Sequence, residues 1–105
     1  MPADIIFMIR PSSLQGSGFR ILRRELRALA IPGRKLILNL TGIDAIDSRI
    51  AGLILETANR LHSIGGNLKL HGTQTRVRAF LELVALDRVI DVRDDGNTLT
   101  LPEAA

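Results

Sequence analysis

The chain has 105 residues, 46% of them hydrophobic and 24% charged, with a formal charge of +3; this is the balance of one globular domain, 1–105, and not of a disordered or fibrous chain. It has no cysteine, which excludes disulfides, thiolate metal sites and cysteine nucleophiles. No run approaches the ~20 apolar residues that span a bilayer, and Met1-Pro2-Ala3-Asp4 lacks the basic start of a secretory leader, so no membrane insertion and a cytoplasmic location are expected.

Residues 5–9 form a short apolar run rich in β-branched side chains and stopped by Pro11, which predicts a strand. Residues 12–18 have loop composition. Phe19, Leu22, Leu26 and Leu29 then recur at helical spacing, and Pro32-Gly33 closes that helix. Residues 36–40 are nearly continuous apolar sequence, the pattern of a strand covered on both faces. Thr41-Gly42 opens a loop carrying Ile43, Ile46, Asp47 and Ser48. Ile50, Leu53, Ile54, Ala58, Leu61 and Ile64 draw an apolar stripe along a second helix that Gly65-Gly66 ends. Residues 68–71 read as a third strand, Val77, Phe80, Leu81 and Val84 as a third helix, and residues 89–92 as a fourth strand. Asp94-Asp95-Gly96-Asn97 is a turn signal, after which Thr98-Leu99-Thr100-Leu101 returns as a hairpin partner or stays a tail. Residues 1–3 and 102–105 are expected to be loose. Strands alternating with helices predict an α/β layered fold, with about three helices on at least one face of a mainly parallel sheet of four to five strands. The 41–48 loop then lies at the carboxyl end of a strand, where such folds carry function.

Five features invite chemistry. Asp47 or Ser48 can cap the second helix, because each is a short polar residue before an apolar stripe. A phosphate on Ser48 would meet the unpaired N–H groups and partial positive charge of the first turn, although Asp47 beside it adds like-charge repulsion. Gln15-Gly16-Ser17-Gly18 sits between a strand and a helix, where phosphate-cradling loops occur. No Gly-Lys-Ser/Thr follows, so a helix-entry loop with Ser17 as its cap is the stronger reading. His62 and His71 lack metal-ligand spacing, Asp44 and Asp47 have no fixed geometry in a loop, and no Gly-x-Ser-x-Gly elbow is present. No cofactor, metal or catalytic residue is expected. Arg20, Arg23, Arg24 and Arg27 form a basic cluster. With three Phe and no Tyr or Trp, stacking platforms for bases are scarce, and the cluster reads as a solvated face or one that meets an acidic protein.

The run from Leu36 through Thr41-Gly42-Ile43-Asp44-Ala45-Ile46-Asp47-Ser48 resembles the STAS domain of anti-sigma factor antagonists. Gly52 stands at the second glycine of that family's Asp-Ser-Ser/Thr-Gly-Leu-Gly motif, and Gly65-Gly66, Leu81, Leu83, Leu86 and Asp87-Arg88-Val89 are similar to its later elements. The resemblance implies a non-enzymatic regulator of transcription. The unphosphorylated protein would bind a serine-kinase-type anti-sigma factor, phosphorylation of Ser48 would break that complex, and a phosphatase would restore it. It implies a partner-binding surface of Ile43, Asp44, Ile46, Asp47, Ser48, Arg49 and Gly52. Arg49 and Ile50 depart from the motif. Asp-Ser-Arg-Ile-Ala is closer to the Asp-Ser-Phe-Ile-Ala of small stressosome scaffold proteins, and a structural subunit of such an assembly or of a lipid-transport complex is the alternative. Arg49 would either favour a phosphate or alter kinase recognition. One strand before the first helix, where the family has two, would leave a sheet edge unpaired; this points to a homo-oligomer or to an edge covered by residues 98–101.

Overall fold

β-branched and leucine-rich segments supply the strands, and each is followed by an amphipathic segment that folds back over it. The structure, a computed structural model, describes residues 3–93. Strands β1 (Ile5–Met8), β2 (Lys35–Asn39), β3 (Asn67–His71) and β4 (Asp91–Arg93) alternate with helices α1 (Ser17–Leu29), α2 (Ser48–Ser63) and α3 (Thr75–Leu83). The sheet order is β1-β2-β3-β4, with every neighbouring pair parallel. Each crossover steps one strand in the same direction. Right-handed crossovers therefore place all three helices on one face.

The core follows from that arrangement. Leu36, Leu38 and Leu40 of β2 and its end join Leu68 and Leu70 of β3 in one buried cluster with Leu22 and Leu26 of α1, Leu53, Ile54, Ala58 and Leu61 of α2, and Val77 and Leu81 of α3. Fully burying a leucine contributes about 1.5–3 kcal/mol, so this stripe-to-sheet contact dominates the fold. Ile37 points to the opposite face, flanked in register by Ile6 and Lys69, and is 4% exposed. The strand is thus buried on both faces although helices cover only one.

Two elements differ from expectation. The 12–18 loop contains a 3-10 turn, Pro11–Leu14, with proline at its start. The last strand begins at Asp91, not at residue 89, because a second 3-10 turn, Leu86–Arg88, holds the chain first. Val89 N–H and Ile90 N–H both donate to Leu86 O, at 3.1 and 3.0 Å, which withdraws them from a ladder. The Asp94-Asp95-Gly96-Asn97 turn, residues 98–101, and residues 1, 2 and 102–105 lie outside the described residues. Ala3, placed by sequence in a loose tail, accepts a hydrogen bond on its carbonyl from Arg34 Nε at 3.1 Å.

Candidate functional site

The 40–47 loop connects β2 to α2 and is pinned from three sides. Asn39, the last residue of β2, is 8% exposed, and its Oδ1 accepts from Thr41 N–H at 3.0 Å and from the Thr41 hydroxyl. Gln74 Nε2 donates to Thr41 O at 2.7 Å. Leu40 N–H donates to His71 O, and Ile43 N–H returns to Leu40 O, both at 2.9 Å. Gly72, at φ +74°, approaches so closely that a Cβ there would collide with Thr41 Oγ1. Sequence reasoning passed over Asn39. Its signal was a lone amide closing an apolar strand immediately before the loop.

Ile43 needs correction as a partner-binding residue. Its side chain is 1% exposed and belongs to the core; it anchors the loop from beneath and offers no surface. Asp44, Asp47, Ser48, Arg49 and Gly52 are exposed, and Ile46 is half-buried.

The cap is Asp47. With extended backbone (φ −116°, ψ −176°), it directs Oδ1 to accept from Ile50 N–H at 3.1 Å. An aspartate here satisfies one orphan donor of the first turn and sits favourably on the helix dipole. Ser48 is released from that task. It is the first residue of α2, exposed, and its hydroxyl makes no hydrogen bond among the described residues.

Arg49 reaches away from Ser48. Its Nη2 donates to Leu14 O of the 3-10 turn at 2.9 Å, its Nε lies 3.7 Å from Asp47 Oδ2, and its guanidinium stacks 4.6 Å over the Phe19 ring. This side chain ties the start of α2 to the entry of α1. It also offsets the Asp47 charge, which lowers the repulsion that a Ser48 phosphate would meet.

An apolar surface adjoins the serine. A hollow of about 210 Å³ is lined by Ser48, Ala51, Gly52, Leu55, Val84 and Leu86. It is shallower than the ~300 Å³ at which small-molecule sites begin. Leu55, Val84 and Leu83 stand exposed, at 36%, 43% and 80%. Gly52 forms part of the floor, and a Cβ there would meet nothing within 4 Å. Among the described residues no contact requires glycine at this helical position.

The other candidates resolve differently. Gly18 is glycine because its Cβ would strike Ser12 O of the 3-10 turn. Gly18 N–H donates to Gln15 O at 3.0 Å and Phe19 N–H to Gly16 O at 3.3 Å, so these amides are spent on the turn and do not form a phosphate cradle. Gly16, not Ser17, occupies the cap position. Of the arginine cluster, Arg23 and Arg27 converge on Glu56 of α2, at 3.9 and 3.1 Å, and Arg60 joins at 3.7 Å. The hydrogen bond from Arg27, with the Arg23 and Arg60 charges adding to it, holds the Glu56 carboxyl below the usual glutamate range. Arg23 and Arg27 join α1 to α2, and all four arginines of the cluster are exposed. Among the described residues no helix is long and apolar enough to cross a membrane.

The STAS-domain family profile matches residues 12–99. The fold is similar to the crystal structure of a candidate anti-sigma factor antagonist from Thermotoga maritima, with a TM-score of 0.69 at 22% identity over 85% of this chain and 79% of that one. The NMR structure of the same Thermotoga protein gives 0.72 at 24% identity over 87% and 74%. A STAS-domain anti-sigma-factor antagonist from Planctomyces limnophilus gives 0.72 at 16% identity over 84% and 80%. No curated protein shows a significant match. The profile runs from the first 3-10 turn past β4, the solved neighbours share the parallel sheet with three helices, and the chain belongs to the STAS domain family.

Proposed function

We propose that this domain is an anti-sigma factor antagonist that works by partner switching at Ser48. In its unphosphorylated form it docks a serine-kinase-type anti-sigma factor on Asp44, Ile46, Asp47, Ser48, Arg49 and Gly52, with Ile43 holding the loop in place. Phosphorylation of Ser48 releases the partner and a phosphatase resets the switch. The domain acts by binding and transforms no substrate.

The observation that carries this reading is the division of labour at the start of α2. Asp47 does the capping, which leaves the Ser48 hydroxyl exposed and, among the described residues, unengaged beside an apolar hollow. A phosphate there adds about −1.5 to −2 charge and three acceptor oxygens at pH 7. First-turn amides and the helix dipole stabilise it in the free domain. In a complex, an apolar partner surface seated against Leu55 and Val84 would have to strip water from that charge, which is strongly unfavourable. The modification therefore favours the free state over the bound one.

Two measurements test this. After incubation with the cognate kinase, mass spectrometry should find phosphate on wild type and none on Ser48→Ala; equal labelling removes Ser48 as the acceptor. Calorimetry should give similar partner affinity for wild type and Ser48→Ala, and a loss of at least about tenfold for Ser48→Asp. Equal affinity of all three forms rejects the switch.

A further inference from the structure

β1 is an edge strand whose sequence complements itself. It ends the strand order and, among the described residues, pairs only with β2. Ile9 N–H donates to Asn39 O at 3.0 Å. By the alternation of main-chain direction along a strand, Ile5 and Phe7 also turn their amide groups to β2, while Ile6 and Met8 turn theirs outward. Within Ile5–Met8 there is no charge and no proline, so neither of these two devices blunts the edge inside the strand, and only its shortness limits pairing. Charges stand at the two ends instead, Asp4 and Arg10, three residues on either side of Phe7. Arg10 keeps extended backbone, φ −100° and ψ 152°, so its side chain continues the alternation of the strand, while its carbonyl is taken by Ser13 N–H at 2.9 Å and adds no rung to a ladder.

We propose that β1 pairs antiparallel with β1 of a second copy of this chain, about a twofold axis at Phe7, to make one continuous eight-stranded sheet. The geometry selects the register. Outward main-chain groups of Ile6 must face those of Met8 in the other copy. A shift by one residue would oppose them to Phe7, whose groups β2 already uses. A shift by two would set Asp4 against Met8 or Arg10 against Ile6. The Phe7-centred register alone sets Asp4 opposite Arg10 of the second copy, twice by symmetry and on one face. Met8 and Ile21 of α1, 57% and 53% exposed, border the same open groove together with Glu25 and supply apolar area on each side of the ladder. A ladder this short makes a weak dimer whose population follows concentration.

Sedimentation velocity on the full chain from about 10 μM to about 1 mM should show the mass rise from 11.5 kDa towards twice that value. Asp4→Arg or Arg10→Asp alone opposes like charges twice and should weaken association about tenfold; the double variant Asp4→Arg/Arg10→Asp should recover to within about threefold. In wild type, amide exchange followed by NMR should protect the Ile6 and Met8 N–H groups at high concentration and free them on dilution. A monomer across the whole range overturns the proposal, as does a double variant that stays as weak as the singles. Protection of both amides in the dilute monomer also overturns it, because the chain's own 98–101 segment would then hold the edge. If a single variant loses its circular dichroism melt, the exchange result on wild type decides.

Discussion

Gly52→Ala should make the domain more stable and a worse partner. Gly52 lies in the interior of α2, on its exposed side, and an added Cβ would touch nothing within 4 Å. Glycine inside a helix costs about 0.8–1 kcal/mol relative to alanine through backbone entropy. With no clash to offset it, the substitution should return most of that amount. For 105 residues the unfolding entropy near 60 °C is about 0.2 kcal/mol/K, so Tm should rise by about 4–5 °C. Scanning calorimetry and urea titration read it directly, with an unchanged m-value. The same methyl narrows the hollow between Ser48, Leu55 and Val84. Overpacking a fitted surface costs about 1–3 kcal/mol, so affinity for the proposed anti-sigma partner should fall roughly five- to 150-fold. A neutral or lower Tm would show that the position is not open. A higher Tm with unchanged affinity would show that no partner uses this floor.

Three other perturbations probe the site and its supports. Asp47→Ala should destabilise by about 1 kcal/mol through loss of the α2 cap, while Asp47→Asn keeps most of it; urea curves in which the two variants fall together would assign the effect to charge. Asn39→Ala removes the acceptor of the Thr41 N–H and should cost about 0.5–1.5 kcal/mol, with the largest NMR shift changes confined to residues 41–47; shifts spread evenly over the sheet would contradict that local role. Glu56→Gln should cost at most about 1 kcal/mol at pH 7, since the pair is partly exposed and screened. The folded-state pKa of Glu56 lies below its unfolded value, so the carboxylate stabilises above the ordinary glutamate range and that contribution is lost as pH falls through the folded value. The gap between wild type and variant should therefore close in acid, and a gap that stays constant with pH would reject the triple-arginine contact.

Most of the fold was legible because burial writes periodicity. The 3.6-residue stripe from Ile50 to Leu61 and the apolar run at 36–40 mark α2 and β2 without any tertiary information. The strand expected at 89–92 was misplaced for a related reason. Val89 and Ile90 have strand-like side chains, yet their amides are taken by the 3-10 turn before them, and side-chain preference carries no record of that bond.

At the site, the sequence by itself located the loop and the helix start, because short polar residues before an apolar stripe mark where a helix begins. It could not choose between Asp47 and Ser48, since both are good caps and only the reach of Asp47 Oδ1 to Ile50 N–H separates them. Nor could it bury Ile43, recruit Asn39, or send Arg49 to Leu14 and Phe19. Arg23 and Arg27 meet Glu56 across the α1–α2 contact, which no local pattern encodes. Local sequence determines which backbone each segment prefers and which face is apolar. Which polar groups meet depends on the packing of distant segments, and only the tertiary structure decided that Asp47 would take the cap and leave the Ser48 hydroxyl without a hydrogen bond among the described residues.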